Sequence, residues 1–197
     1  MQSLVTIIVA AGYVGITLVV FAESGLFFGF FLPGDSLLFT AGLFASHGEF
    51  NILVLVVLCL VAAILGDSVG YYFGKKVGPK IFARKDSFLF KQSYVAKTKV
   101  FYERHGDKAI VLARFVPIVR TFVPIMAGVG EMPYRRFVTY NIAGGALWVI
   151  LMLGLGYVLG EVVPDIDRYI LPIIALIVVV SVLPAVFAVY KEWKVGK

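Results

Sequence analysis

Arg114 and Arg120 stand in the run ARFVPIVRTFVPIMAG, Ala113 to Gly128, where nearly every other residue is apolar and two prolines, Pro117 and Pro124, rule out one straight helix. A permanent cation at the centre of a membrane helix costs about 2.5–3.5 kcal/mol on insertion scales, so the pair asks for about 5–7 kcal/mol of compensation. Three acids lie inside the other apolar blocks: Glu23, Asp35 and Asp67. Guanidinium forks take phosphate oxygens bidentately, and a fractured helix offers unpaired N–H groups to the same anion. Two arginines beside broken helices therefore suit a phosphate-bearing substrate better than a cation. Glu23 and Asp35 are candidates for proton coupling or for charge partners, since burial and a nearby guanidinium pull a carboxyl's proton affinity in opposite directions. The alternative is structural: the five charges neutralise one another in a polar core and only hold the helices together.

Asp67 is the third acid. It sits in GDSVGYYFGKKVG, where Gly66, Gly70, Gly74 and Gly78 recur every fourth residue. That spacing makes a small-residue face for close helix packing, with Asp67 as its hydrogen-bonded partner.

The elements that position these charges follow from composition. The 197 residues are 60% hydrophobic and 15% charged, and the mean hydropathy is +0.95, far from the usage of soluble domains. An all-α polytopic membrane protein is expected, a single membrane domain over residues 1–197. Apolar blocks fall at about 4–22, 25–45, 52–74, 109–130, 137–160 and 169–190. The first follows MQS with no basic region and no small-residue cleavage site, and reads as a retained span.

Two blocks are interrupted, 25–45 at Pro33-Gly34 and 109–130 at Pro117 and Pro124. Proline removes a backbone donor, and freed backbone groups at membrane depth need protein or a wet cavity to receive them. Both blocks are expected to be re-entrant hairpins. Charge placement agrees: ten of the eighteen basic residues lie between Lys75 and Lys108, which makes that loop cytoplasmic. If 109–130 dips in and returns, Arg135 and Arg136 stay on the same side and the last span returns to Lys191, Lys194 and Lys197. Both termini are then cytoplasmic, and the two hairpins enter from opposite faces.

That geometry implies an inverted repeat of hairpin plus transmembrane helix, with additional transmembrane helices. Ala41-Gly42 and Ala127-Gly128 end the broken blocks; Gly48-Glu49 and Gly130-Glu131 follow, then Gly74 and Gly78 against Gly156 and Gly160. Paired interrupted segments of this kind point to a transporter's midplane site.

Residues 79–105 mix Ile81, Phe82, Phe88, Phe90 and Tyr94 with many lysines, the pattern of a cytoplasmic interfacial amphipathic segment drawn to anionic headgroups. The basic excess otherwise reports loop orientation, not nucleic-acid binding. Cys59 is single, so no internal disulfide forms, and no metal or cofactor site is expected. Trp148 and Trp193 read as core or interface anchors. His47 and His105 are far apart in sequence, and no Asp-x-x-Asp stands in a core segment, which argues against a lipid phosphatase or transferase.

The stretches FAESGLFFGFFLPGDSLLFTAGLFA, GDSVGYYFGKKVG and ERHGDKAIVLARFVPIVRTFVPIMAGVGEMPYRRFVTYNIAGGALWV resemble the signature regions of the DedA family, also called the SNARE-associated or VTT-domain family. The resemblance runs from about Glu23 to Gly160. It implies an integral plasma-membrane or inner-membrane protein with two facing re-entrant helices, one that moves polyprenyl phosphate or phospholipid between leaflets, in some bacterial members with the proton-motive force. It maps the family's functional acids onto Glu23 in AESG and Asp35 in PGDS, where many members carry glutamate. It maps the functional arginines onto Arg114 in ARFVP and Arg120 in IVRTF. The expected activity is a lipid flippase or scramblase with membrane lipids and protons as partners. The alternatives are a proton-coupled transporter of small ions or drugs and a structural membrane protein.

Overall fold

The computed structural model describes residues 2–26, 32–81, 104 and 106–162, and among these it is all-helical. The helices are α1 (Gln2–Gly25), α2 (Gly34–Ser46), α3 (Ile52–Ile81), α4 (Ala109–Ala113), α5 (Pro117–Val129) and α6 (Tyr134–Val162), with a 3₁₀ turn at Gly106–Lys108. Apart from 79–81 and Arg104, the expected amphipathic segment lies outside the described residues, as does the apolar block at 169–190.

Helices α3 and α6 contain the long apolar stretches, Ile52–Lys76 and Tyr134–Val162, that meet the length and hydropathy of a membrane span. By contrast α2 and α5 have 13 residues each. At 1.5 Å per residue they are about 20 Å long, short of a hydrocarbon core about 30 Å thick.

Proline acts differently at its three sites. Pro33 is the N-cap of α2 and Pro117 opens α5, positions where a missing N–H costs little. Val116 before Pro117 is extended, φ −121° and ψ 105°, as a following proline demands. Pro124, expected to break the second block again, instead sits within α5. A Cβ at Gly70 of α3 would stand 3.5 Å from the Pro124 ring, ordinary contact distance, so the ring packs against α3 at this point. The 109–130 block is thus broken once, at Arg114–Val116.

The short helices interlock with the long ones through glycine. A Cβ on Gly42 of α2 would strike the Leu153 carbonyl of α6, and one on Gly156 of α6 the Phe39 carbonyl of α2. Between α5 and α3 the same exchange occurs: Gly128 faces the Tyr71 carbonyl and Gly74 the Ile125 carbonyl. Gly66 meets Phe21 and Ser24 of α1. The four-residue glycine ladder is therefore a packing face at Gly66, Gly70 and Gly74.

The turns after α2 and α5 also correspond. Glu49 N–H donates to the Phe44 carbonyl and Met132 N–H to the Ala127 carbonyl, five residues back in each case. The residue before each donor has positive φ, Gly48 at 81° and Glu131 at 53°. The Gly-Glu pairs that identity sets in register are out of step by one residue in these turns. Asn51 then caps α3, its Oδ1 accepting from Leu53 N–H at 2.9 Å.

Two apolar clusters result. One joins α1, α2, α3 and α6 around Val20, Leu38, Leu55, Cys59, Val149 and Leu153. The other joins α3 to α4, α5 and the start of α6 around Tyr71, Ile110, Val123 and Phe137. Along α3, Asp67 stands between Ala63 of the first and Tyr71 of the second, so the charges have apolar packing on both sides.

Candidate functional site

Arg114 and Arg120 flank the break between α4 and α5, Arg114 as the C-cap residue of α4 and Arg120 one turn into α5. Interrupting the helix turns both side chains toward the packed interior. All three acids come to meet them.

Arg114 is 6% exposed. Its Nη2 donates to Asp67 of α3 and, at 2.5 Å, to Asn141 Oδ1 of α6. Asn141 is itself fixed, since its Nδ2 donates to the Ile64 carbonyl at 3.2 Å. The Arg114 stem runs close along α6 at a glycine: a Cβ on Gly144 would stand 3.0 Å from Val111 Cα and 3.2 Å from Arg114 Cδ, tighter than ordinary contact.

Arg120 holds the other two acids. Its Nη2 donates to Glu23 Oε1, and its Nη1 donates to Asp35 Oδ1 at 3.1 Å. Glu23 Oε1 also accepts the Gly34 N–H at 3.2 Å, so the last turn of α1 places a carboxylate at the positive end of α2. Asp35, in the first turn of α2, also accepts from Trp148 Nε1 at 2.6 Å. The Trp148 ring lies between the arginines, 5.9 Å from Arg114 Cζ and 5.7 Å from Arg120 Cζ, within cation–π range.

The side chains of Glu23 and Asp67 are 1% and 7% exposed, whereas Asp35 is 32% exposed. Asp35 is thus the most exposed of the three acids. Glu23, Ser24, Asp67, Arg114, Arg120 and Trp148 line a cavity of about 10 Å³, on the scale of one water and far too small for a phosphate. Glu23 Oε2, Arg114 Nε and Arg120 Nε are buried without a hydrogen-bond partner among the described residues. These are spare hydrogen-bonding positions in a site where carboxylates and the Asn141 amide take the Nη groups of the two arginines. Among the described residues no group of three His, Cys, Asp or Glu is placed to hold a metal. His47 ends α2, its Nδ1 3.1 Å from the Leu43 carbonyl, and takes no part.

All five charges singled out from the sequence therefore meet, and Asp67 ranks with the other acids as the partner of Arg114. Two uncharged members were not anticipated. Asn141 is an amide in the apolar run 137–160, where burial without a partner is costly; that isolation was the available signal. Trp148, expected as a core or interface anchor, is buried in the first apolar cluster and is also a hydrogen-bond donor to Asp35, seven residues or about two turns beyond Asn141 and so on the same helix face.

Broken helices carrying buried ion pairs beside long apolar helices define a helical membrane protein organised around a charged core. The chain belongs to the DedA family of VTT-domain membrane proteins: the VTT domain model matches residues 32–158, which include every member of the cluster except Glu23. It is 48% identical over 182 residues to Protein DedA of Escherichia coli, covering 91% of this chain and 83% of that protein. It is 43% identical over 186 residues to an uncharacterized membrane protein of Mycobacterium leprae, covering 94% and 83%. Inner membrane protein YghB of Escherichia coli is 33% identical over 162 residues, covering 82% and 74%. No solved structure matches.

Proposed function

We propose that the protein moves a phosphate-bearing lipid, polyprenyl phosphate or phospholipid, between membrane leaflets as a flippase or scramblase, and is not an enzyme. The observation that carries this reading is the pairing of Arg120 with both Glu23 and Asp35 at the partly open side of the cluster. A carboxylate and a phosphate present the same acceptor chemistry to a guanidinium. The small cavity is then the resting arrangement, in which the protein's own acids occupy the headgroup's place. A headgroup enters as Asp35 withdraws, while the hydrocarbon chain stays in lipid.

Three carboxylates facing two guanidiniums leave one negative charge in excess when all are ionised, so one proton neutralises the cluster. Glu23 Oε2, buried and without a hydrogen-bond partner among the described residues, is the oxygen suited to receive it. Protonation of Glu23 weakens its hold on Arg120 and couples headgroup entry to a proton.

Arrangement in the membrane follows the same logic. The 13-residue lengths of α2 and α5 support re-entrant hairpins at about 25–45 and 109–130. The matched glycine interlocks of α2 with α6 and α5 with α3 support an inverted repeat within one membrane domain, 1–197. Both termini lie in the cytoplasm of a plasma-membrane or inner-membrane protein in this scheme.

The experiment is leaflet exchange of a labelled polyprenyl phosphate and a labelled phospholipid in vesicles containing the purified protein, with and without a pH gradient. Exchange of either lipid above protein-free vesicles is expected. No exchange of either, with proton flux driven by a soluble substrate, would favour a proton-coupled transporter of small ions or drugs, the reading that the excess of acid over base supports. If neither activity occurs and Arg114→Lys with Arg120→Lys leaves cellular function intact, the cluster is structural.

A further inference from the structure

Asp35 Oδ1 accepts two hydrogen bonds from groups that converge on one point, Arg120 Nη1 at 3.1 Å and Trp148 Nε1 at 2.6 Å. One donor comes from α5 and the other from α6, and Asp35 itself from α2. Of the three acids it is the most exposed, so it is the one an incoming anion displaces with the least rearrangement. Its oxygen marks a position where a charged acceptor satisfies a guanidinium and an indole together.

An indole N–H is only a donor. Trp148 is 2% exposed, its ring held beside both guanidiniums. Once Asp35 leaves, that buried N–H loses its acceptor, at a penalty typical of any unsatisfied buried donor. An anion oxygen at the vacated point restores both bonds at once.

Resting on the headgroup reading above, we infer that Trp148 is a direct ligand-positioning residue, whose indole N–H passes from Asp35 to a phosphate oxygen as the phosphate takes Arg120. The competing role is indirect: Trp148 holds Asp35 and never touches the anion. The two differ once Asp35 is removed.

The test is titration calorimetry on the full chain in detergent, with geranyl phosphate, inorganic phosphate and uncharged geraniol as probes. Asp35→Ala is expected to bind geranyl phosphate, with the competing carboxylate gone. Adding Trp148→Phe is expected to weaken that binding about tenfold, the scale of one hydrogen bond to a charged group. Replacing Trp148 in the Asp35→Ala background by benzothienylalanine, which keeps the ring size and lacks the N–H, is expected to give the same loss and separates it from loosened packing. Inorganic phosphate shows whether the free anion or only the lipid-borne one is taken.

Equal affinity with and without the N–H in the Asp35→Ala background overturns the inference and leaves the headgroup reading standing. So does an equal loss for geraniol, which would put Trp148 on the hydrocarbon chain. Absence of any phosphate binding by Asp35→Ala overturns both.

Discussion

The carboxylate of Glu23 fills the space that a side chain on Gly34 would need. Gly34 is the first residue of α2 and donates its N–H to the same carboxylate at 3.2 Å, so close approach of backbone and acid is what places Glu23 against Arg120. Gly34→Ala should push Glu23 off this seat. Overpacking of this kind costs about 1–3 kcal/mol, and the expected result is a lower melting temperature in detergent with a loss of lipid exchange larger than the stability change accounts for. A Gly34→Ala protein with wild-type melting and exchange would show that the seat is unimportant.

Asp67→Asn keeps the shape of the side chain and removes its charge. Arg114 would then be a buried cation with only neutral partners, and breaking a buried pair on one side typically costs about 3–5 kcal/mol. The expected outcome is a strongly lowered melting temperature, partly restored by adding Arg114→Met, which removes the stranded charge. Unchanged melting of the single variant would contradict the pairing.

Glycine interlocks predict a matched set of stabilities. Gly42→Ala and Gly128→Ala each place a methyl group on a carbonyl of the neighbouring long helix, whereas Gly15 and Gly154 have nothing within 4 Å of such a methyl. The first two should lose about 1–3 kcal/mol. Gly15→Ala and Gly154→Ala should be neutral or gain up to about 1 kcal/mol from helix propensity. Thermal unfolding of the four variants side by side checks the pattern.

Glu23→Gln removes the excess negative charge, leaving two acids for two arginines. Exchange by this variant should continue at a reduced rate and lose its response to a pH gradient, because the proton-accepting oxygen is gone. Parallel assays with and without the gradient measure this, and a response equal to that of the wild type would move proton coupling to another residue.

Much of the site was legible because charge is expensive in an apolar run: Arg114, Arg120, Glu23 and Asp35 stand out by insertion cost alone. Asp67 was harder to rank, since its glycine neighbours carry a genuine packing signal and the residue serves both purposes. Trp148 and Asn141 were hidden because tryptophan is at home in membrane helices and a single amide carries no charge; only the path of α6 past the α4–α5 break gives them their roles. Proline was legible as punctuation but not in its kind. Pro33 and Pro117 start helices, while Pro124 is absorbed into one and packs against α3 at Gly70.

The most direct test is leaflet exchange of labelled polyprenyl phosphate and phospholipid by wild-type protein and by Arg120→Ala in otherwise identical vesicles. Arg120 is the guanidinium shared by Glu23 and Asp35, and its removal is expected to slow the exchange seen with the wild type at least tenfold while the protein still inserts and melts cooperatively. Exchange by Arg120→Ala at the wild-type rate would contradict a headgroup site built on this arginine.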